Sequence, residues 1–150
     1  MMGVRFVTEE DFSIVLDKTI AILGTADYVF HIDGLWVDGE DNDAFPDMED
    51  GPYSWETLRA PFDHLGRAFV YFARIRRYAP GASILPMATL EDYETCLCSL
   101  ILLCVDMREF ELYAKDEKDV KRLYDACAAA GFGEVELQTD ENCGRTGMNV

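Results

Sequence analysis

The chain reads as a mixed α+β domain, a mostly antiparallel sheet of five to seven strands with helices packed mainly on one face. Three observations predict this. Leu100–Val105 is an unbroken apolar run of strand length, and the alternating Glu109, Phe110, Glu111 and Leu112 follow it closely. A continuous run marks a strand buried on both faces and an alternating one a strand with one wet face, so the pair forms a hairpin whose second strand lies nearer the edge. Val120, Leu123, Tyr124 and Cys127 then fall at helical spacing. Finally, strands and helices follow in one order twice: strand, helix, strand, strand, helix, strand up to residue 77, and again from Ser83. That is the split βαβ pattern of ferredoxin-like halves. No residue-level repeat accompanies it, so a pseudo-repeat with its boundary near residues 78–82 is a topological expectation.

Each element has local reasons. Gly3–Val7 alternates Val4 and Phe6 against Arg5 as a first strand. Thr8 opens a helix with Asp11 three residues on, a variant of the capping box. Phe12, Val15, Leu16, Ile20 and Leu23 give it an apolar stripe, and Gly24 stops it. Asp27–Ile32 and Leu35–Val37 read as two short strands turned through Asp33-Gly34. Ser54 starts a helix with Trp55, Leu58 and Phe62, which Pro61 breaks and Gly66 ends. Arg67–Arg76 is a long strand with Phe69, Tyr71, Ala73 and Ile75 on one face; the other face, Ala68, Val70 and Phe72, turns basic at Arg74 and Arg76. A short extended piece at Ser83–Leu85 precedes a helix capped by Thr89, with Leu90, Tyr93 and Leu97. After the central hairpin, Asp116 caps the last helix, Gly131 stops it, and Val135 and Leu137 form a final strand. A polar tail runs from Thr139 to Val150.

Composition bounds function. A chain of 150 residues, half of them apolar, makes one domain with an ordinary core and needs no disulfide staple. No stretch approaches the roughly 20 apolar residues of a membrane span, and the N-terminal residues have no signal-peptide character. Five cysteines, an odd number mostly in apolar surroundings, suit a reduced cytoplasmic setting. The net charge of −16 argues against nucleic acid and anionic membranes, and suits solubility or the steering of a basic partner.

Chemistry has few footholds here. His31, beside Asp27 and Asp33, is the one candidate general base. Fingerprints of serine hydrolases, phosphate loops, zinc proteases and dinucleotide folds are missing from the sequence. Cys96-x-Cys98 with Cys104 lacks the paired spacing of a zinc site and reads as core. Asp38, Glu40, Asn42, Phe45 and Glu49 match positions of a calcium loop, but Asp43 replaces its glycine and a strand precedes it. The expectation is therefore no metal and no cofactor.

Binding is better supported. Asp38, Glu40, Asp41, Asp43, Asp47, Glu49 and Asp50 crowd one segment, and no Lys or Arg occurs between Lys18 and Arg59. Trp36, Phe45, Tyr53 and Trp55 flank or punctuate it, and aromatics among carboxylates can anchor a basic protein. The leading expectation is a non-catalytic module for a basic protein, of inhibitor or immunity type, using Trp36, the acidic residues 38–49, Phe45 and Trp55. The alternative is a small-ligand or calcium-binding domain using loop 38–50 or the polar tail, with Asp140 and Arg145. Arg74, Arg76 and Arg77 either pair with internal carboxylates or contact a second copy in a homodimer.

Residues Leu102-Leu103-Cys104-Val105-Asp106, Tyr113, Lys115-Asp116, Thr139-Asp140-Glu141-Asn142 and Arg145-Thr146 resemble a domain-of-unknown-function family. Its members are small acidic proteins from spore-forming Gram-positive bacteria. The resemblance covers roughly residues 80 to 147, and the ending Gly147-Met148-Asn149-Val150 departs from the family's aromatic finish. It implies a bacterial cytosolic home and no particular activity.

Overall fold

A computed structural model describes residues 2–38, 51–64, 69–144 and 147–148, with only the main chain described at 2, 38, 64 and 69. Strands β1 (Met2–Val7), β2 (Val29–Asp38), β3 (Phe69–Tyr78), β4 (Leu100–Asp106), β5 (Glu109–Ala114) and β6 (Gly133–Gln138) form one sheet in the order β2-β3-β4-β5-β1-β6. Every neighbouring pair is antiparallel. The helices are α1 (Phe12–Lys18), α2 (Trp55–Arg59), α3 (Leu90–Thr95) and α4 (Glu117–Ala129).

The apolar run of β4 divides between the two faces of the sheet. Leu100, Leu102 and Cys104 join the larger core with Phe12, Val15 and Leu16 of α1, Trp55 and Leu58 of α2, and Val120, Leu123 and Cys127 of α4. Ile101 and Leu103 enter a smaller core on the opposite face with Tyr78, Met87, Tyr93, Cys98, Tyr113 and Met148. Three helices thus cover one face and α3 with irregular chain covers part of the other. Each fully buried aliphatic or aromatic side chain contributes about 1.5–3 kcal/mol relative to exposure. A strand apolar at every position is the natural centre of such a sheet.

Several elements depart from their sequence reading. The strand after the hairpin turn is no nearer the edge than its partner: β1, from the far N-terminus, pairs with β5 along its other side, so β4 and β5 are both central. The strands of the two halves consequently interleave, with β1 between β5 and β6. Asp33-Gly34 makes no hairpin turn. Val29–Asp38 is one strand, with Gly34 at φ 61° where the pairing with β3 slips. Such an irregularity is a bulge, which kinks one strand while keeping it in the sheet.

A second irregularity, between Trp36 and Val37, puts an extra residue into β3 and shifts its alternation, so Val70 joins Ala73 and Ile75 in the larger core while Tyr71 is only half-buried. The first helix begins at Phe12 rather than Thr8, whose hydroxyl instead accepts the Glu10 N–H, and continues as a 3₁₀ turn, Ile20–Leu23. Ser83–Leu85 pairs with no strand. The expected stops at Gly24 and Gly131, with φ 87° and 78°, and the caps at Ser54, Thr89 and Asp116 are in place. Pro61 ends α2 as expected, within the 3₁₀ turn Ala60–His64. The strand start at Arg67 and Ala68 and the stop at Gly66 lie outside the described residues.

Candidate functional site

Of the residues expected to meet a basic partner, Glu40, Asp41, Asp43, Phe45, Asp47 and Glu49 lie outside the described residues, as does the side chain of Asp38. The two tryptophans part company. Trp55 is 8% exposed and packs its ring on Phe30, centroids 5.0 Å apart, so it serves the core in the free chain. Trp36 is 61% exposed on the edge strand β2, with the half-buried Tyr71 and Phe72 of β3 at 6.4 and 5.9 Å. The exposed Trp36 with half-buried Tyr71 and Phe72 beside it forms an aromatic patch, and the acidic segment begins two residues later. Earlier along β2 the outer edge is already paired: Phe30 and Tyr53 exchange both main-chain hydrogen bonds, at 2.8 and 2.7 Å.

The basic cluster turns inward. Arg74, Arg76 and Arg77 are 7%, 2% and 3% exposed. Arg74 makes a bidentate pair with Asp33 and donates to the carbonyls of Met87 and Met148. Arg76 donates to the Tyr78 hydroxyl and the Leu85 carbonyl at 2.9 Å and reaches the same Asp33 at 3.5 Å. Arg77 bonds Ser99 and Asp119 at 2.9 Å each and lies 4.2 Å from the Tyr28 ring centroid. These guanidiniums tie the strap of residues 79–88 and the C-terminal residues to the sheet, as the internal-pairing reading expects. Being buried and paired, they offset little of the acidic surface's charge.

His31 lies in this network and is half-buried. Its Nδ1 is 3.1 Å from an Arg76 nitrogen. Because arginine has only donors, Nδ1 must accept, which fixes the tautomer with its proton on Nε2. Asp33 serves the two arginines here. Among the described residues no three His, Cys, Asp or Glu groups converge as a metal site would require. Cys98 is buried in the smaller core, and burial pushes its thiol up to about 11, away from ready thiolate ligation.

A concavity lies beside the polar tail. On the face opposite most helices, α3 and the strap leave β5, β1 and β6 partly uncovered, and an open groove of about 480 Å³ lies there. Arg5, Glu109, Glu111 and Gln138 line it, with Asn142 and Cys143 from the polar tail. Register explains the grouping. Arg5 stands opposite Glu111 on one side and Glu136 on the other, and Gly3 stands between Tyr113 and Gln138. Any side chain at Gly3 would overlap the Leu112 carbonyl and the Tyr113 ring, so glycine lets that ring lie across β1. The Tyr113 hydroxyl donates to Glu111 Oε1 at 2.7 Å and lies 3.7 Å from Cys143 Sγ. Burial pushes that hydroxyl well above its ordinary range, so it stays a donor. Asp140 is exposed and does not line the groove; Arg145 lies outside the described residues. The one hint in the sequence was the polar alternation Glu109, Glu111; nothing local joins it to Arg5 or Gln138.

An open six-stranded antiparallel sheet, helix-covered on one face and strapped on the other, defines a small α+β class of protein. The chain belongs to the family described as Protein of unknown function (DUF2691), whose model matches residues 1–149. The likeness read from residues 80–147 therefore extends through the N-terminal half. It is similar to the Uncharacterized protein YncE of Bacillus subtilis (strain 168), 24% identical over 155 residues covering 99% of this chain and 98% of that one. No solved structure matches the chain.

Proposed function

We propose that this protein is a non-catalytic acidic binding module, of inhibitor or immunity type, that captures a basic protein in the reduced cytosol. The observation that carries the reading is Trp36, 61% exposed on an edge strand beside Tyr71 and Phe72 and adjoining the acidic segment. A rigid aromatic anchor beside dense charge is the combination used by tight complexes: the ring supplies buried area and the charge steers encounter. The inward arginines support it, because they leave the net charge of −16 largely to the surface. All five cysteines are free, which suits a reducing compartment.

The test is capture with the wild-type chain, followed by titration of the purified partner against two variants. In one, Trp36 becomes Ala; in the other, the seven acidic residues from Asp38 to Asp50 become their amides. Trp36→Ala should weaken binding about 30-fold, the weight of a tryptophan hot spot near 2 kcal/mol. The amide variant should remove most of the salt dependence of Kd. A partner bound equally well by both variants ends the reading.

A further inference from the structure

We propose that Cys96 and Cys98 form a thiol switch that a low-molecular-weight disulfide, such as oxidised glutathione, closes into an intrachain disulfide. Cys96 takes up the reagent first, and Cys98 displaces it. The pair lies where α3 runs on into β4 and uses none of the residues of the acidic binding surface, so it stands independently of that reading.

Local geometry brings the two sulfurs together. Leu97 is 67% exposed, whereas Cys98 is buried in the smaller core and the half-buried Cys96 packs against that core. The two thiols therefore share the inward side of the bend at Cys96 and Leu97. Two steps of about 3.8 Å through a bend put the outer Cα atoms about 5.5–6.5 Å apart, inside the range that a disulfide spans. The Cys98 N–H donates to Cys96 Sγ at 3.3 Å. Covalent geometry ties the Cys98 sulfur within about 4 Å of that same nitrogen, so a sulfur–sulfur bond of about 2.05 Å closes the triangle.

The bend is held before any oxidant arrives. The Cys96 N–H bonds the Asp92 carbonyl at 3.2 Å, and the Ser99 N–H bonds the Arg77 carbonyl at 2.9 Å. Lys115 donates to the Cys96 carbonyl and stands 5.0 Å over the Tyr93 ring. Access divides the roles. The more open Cys96 thiolate attacks R–S–S–R, forming Cys96–S–S–R and releasing RS⁻. The Cys98 thiolate then attacks the Cys96 sulfur, forming the internal disulfide and releasing the second RS⁻. Two protein thiols are oxidised, one reagent disulfide is reduced to two thiols, and the thiol protons pass to the released thiolates. Cys98, its thiol pushed up to about 11 by burial, suits the slower second step. Its bond to the Leu100 carbonyl, at 3.1 Å, favours the reduced state, so the switch closes only as oxidant accumulates.

The experiment equilibrates the full chain at about pH 8 in glutathione buffers running from fully reduced to about equal reduced and oxidised forms. The protein is then alkylated under denaturing conditions and its cysteines are mapped by peptide mass. At the oxidised limit Cys96 and Cys98 should be joined within one peptide, two hydrogens lighter, with Cys104 and Cys127 alkylated. Cys98→Ser should stop at the Cys96–glutathione adduct, and Cys96→Ser should leave Cys98 alkylated. In the wild-type chain the closing step should speed about tenfold per pH unit between about pH 7 and 9, as the Cys98 thiolate fraction does. Should Cys98→Ser fail to fold, the wild-type map and Cys96→Ser decide. Both thiols alkylated at every ratio overturns the proposal. So does a lasting Cys96–glutathione adduct in the wild-type chain, a disulfide joining Cys96 to Cys143, or a closing rate indifferent to pH.

Discussion

Single residues decide most where charge is buried. Asp33 sits under Arg74 and Arg76, both nearly inaccessible, so its carboxylate is the shared counter-ion of two buried guanidiniums. Asp33→Ala should cost about 3–5 kcal/mol, because removing one partner leaves buried charge uncompensated. A fall in the urea midpoint with the m-value unchanged would record it; a loss below 1 kcal/mol would mean that the network is mostly solvated. Cysteine thiols report burial in another way. Burial pushes Cys98 to about 11 and Cys104 and Cys127 to about 12, from 9.0 in the unfolded chain. Each raised thiol contributes stability that is fully present below pH 9.0 and lost as pH rises toward 11–12, since only the unfolded thiol ionises early. Urea midpoints should therefore fall steadily across that window, and Cys127→Ala should flatten the slope. In native protein Ellman's reagent should reach the half-buried Cys96 and Cys143 first.

At the scale of the element, α3 depends on its cap. It spans only Leu90–Thr95, too short to persist on helix propensity alone. Thr89 accepts the Asp92 N–H while Asp92 bonds the main-chain N–H groups of Ala88 and Thr89, and those bonds hold the Asp92 carboxyl below the usual carboxylate range. Thr89→Ala should cost about 1 kcal/mol and loosen the strap over the smaller core. Faster amide exchange confined to residues 88–98 would show it, whereas uniform exchange across the sheet would argue that the strap and sheet unfold as one. The cap at Thr89 was legible in the sequence, as were Ser54 and Asp116, because a cap needs only residues within one turn. The bulge in β2 was not. Asp33-Gly34 has the local chemistry of a tight turn, and only pairing with all of β3 makes it an irregularity inside a ten-residue strand.

For the whole molecule, the excess of negative charge opposes compactness through self-repulsion. With −16 charges in 150 residues and the best cations already buried in pairs, added salt should stabilise the fold. The melting temperature should rise as sodium chloride goes from about 20 to about 300 mM, beyond which screening is nearly complete. A falling melting temperature would mean that the paired arginines outweigh the repulsion.

By itself the sequence determined the α+β class, the central hairpin, the caps at Ser54, Thr89 and Asp116, the stops at Gly24 and Gly131, and the net negative charge. Each rests on patterns within a few residues: a run buried on both faces, a 3.6-residue stripe, a glycine where φ turns positive. Tertiary structure alone decided that β1 inserts beside β5, that Trp55 goes inside while Trp36 stays out, and that Arg74 and Arg76 close onto Asp33 some forty residues earlier. It also brought Arg5, Glu111 and Gln138 onto one groove from three strands spread over the chain's length. The physical reason is that strand order is settled by burying both faces of the sheet at once, and no local pattern encodes which distant strand will complete that burial.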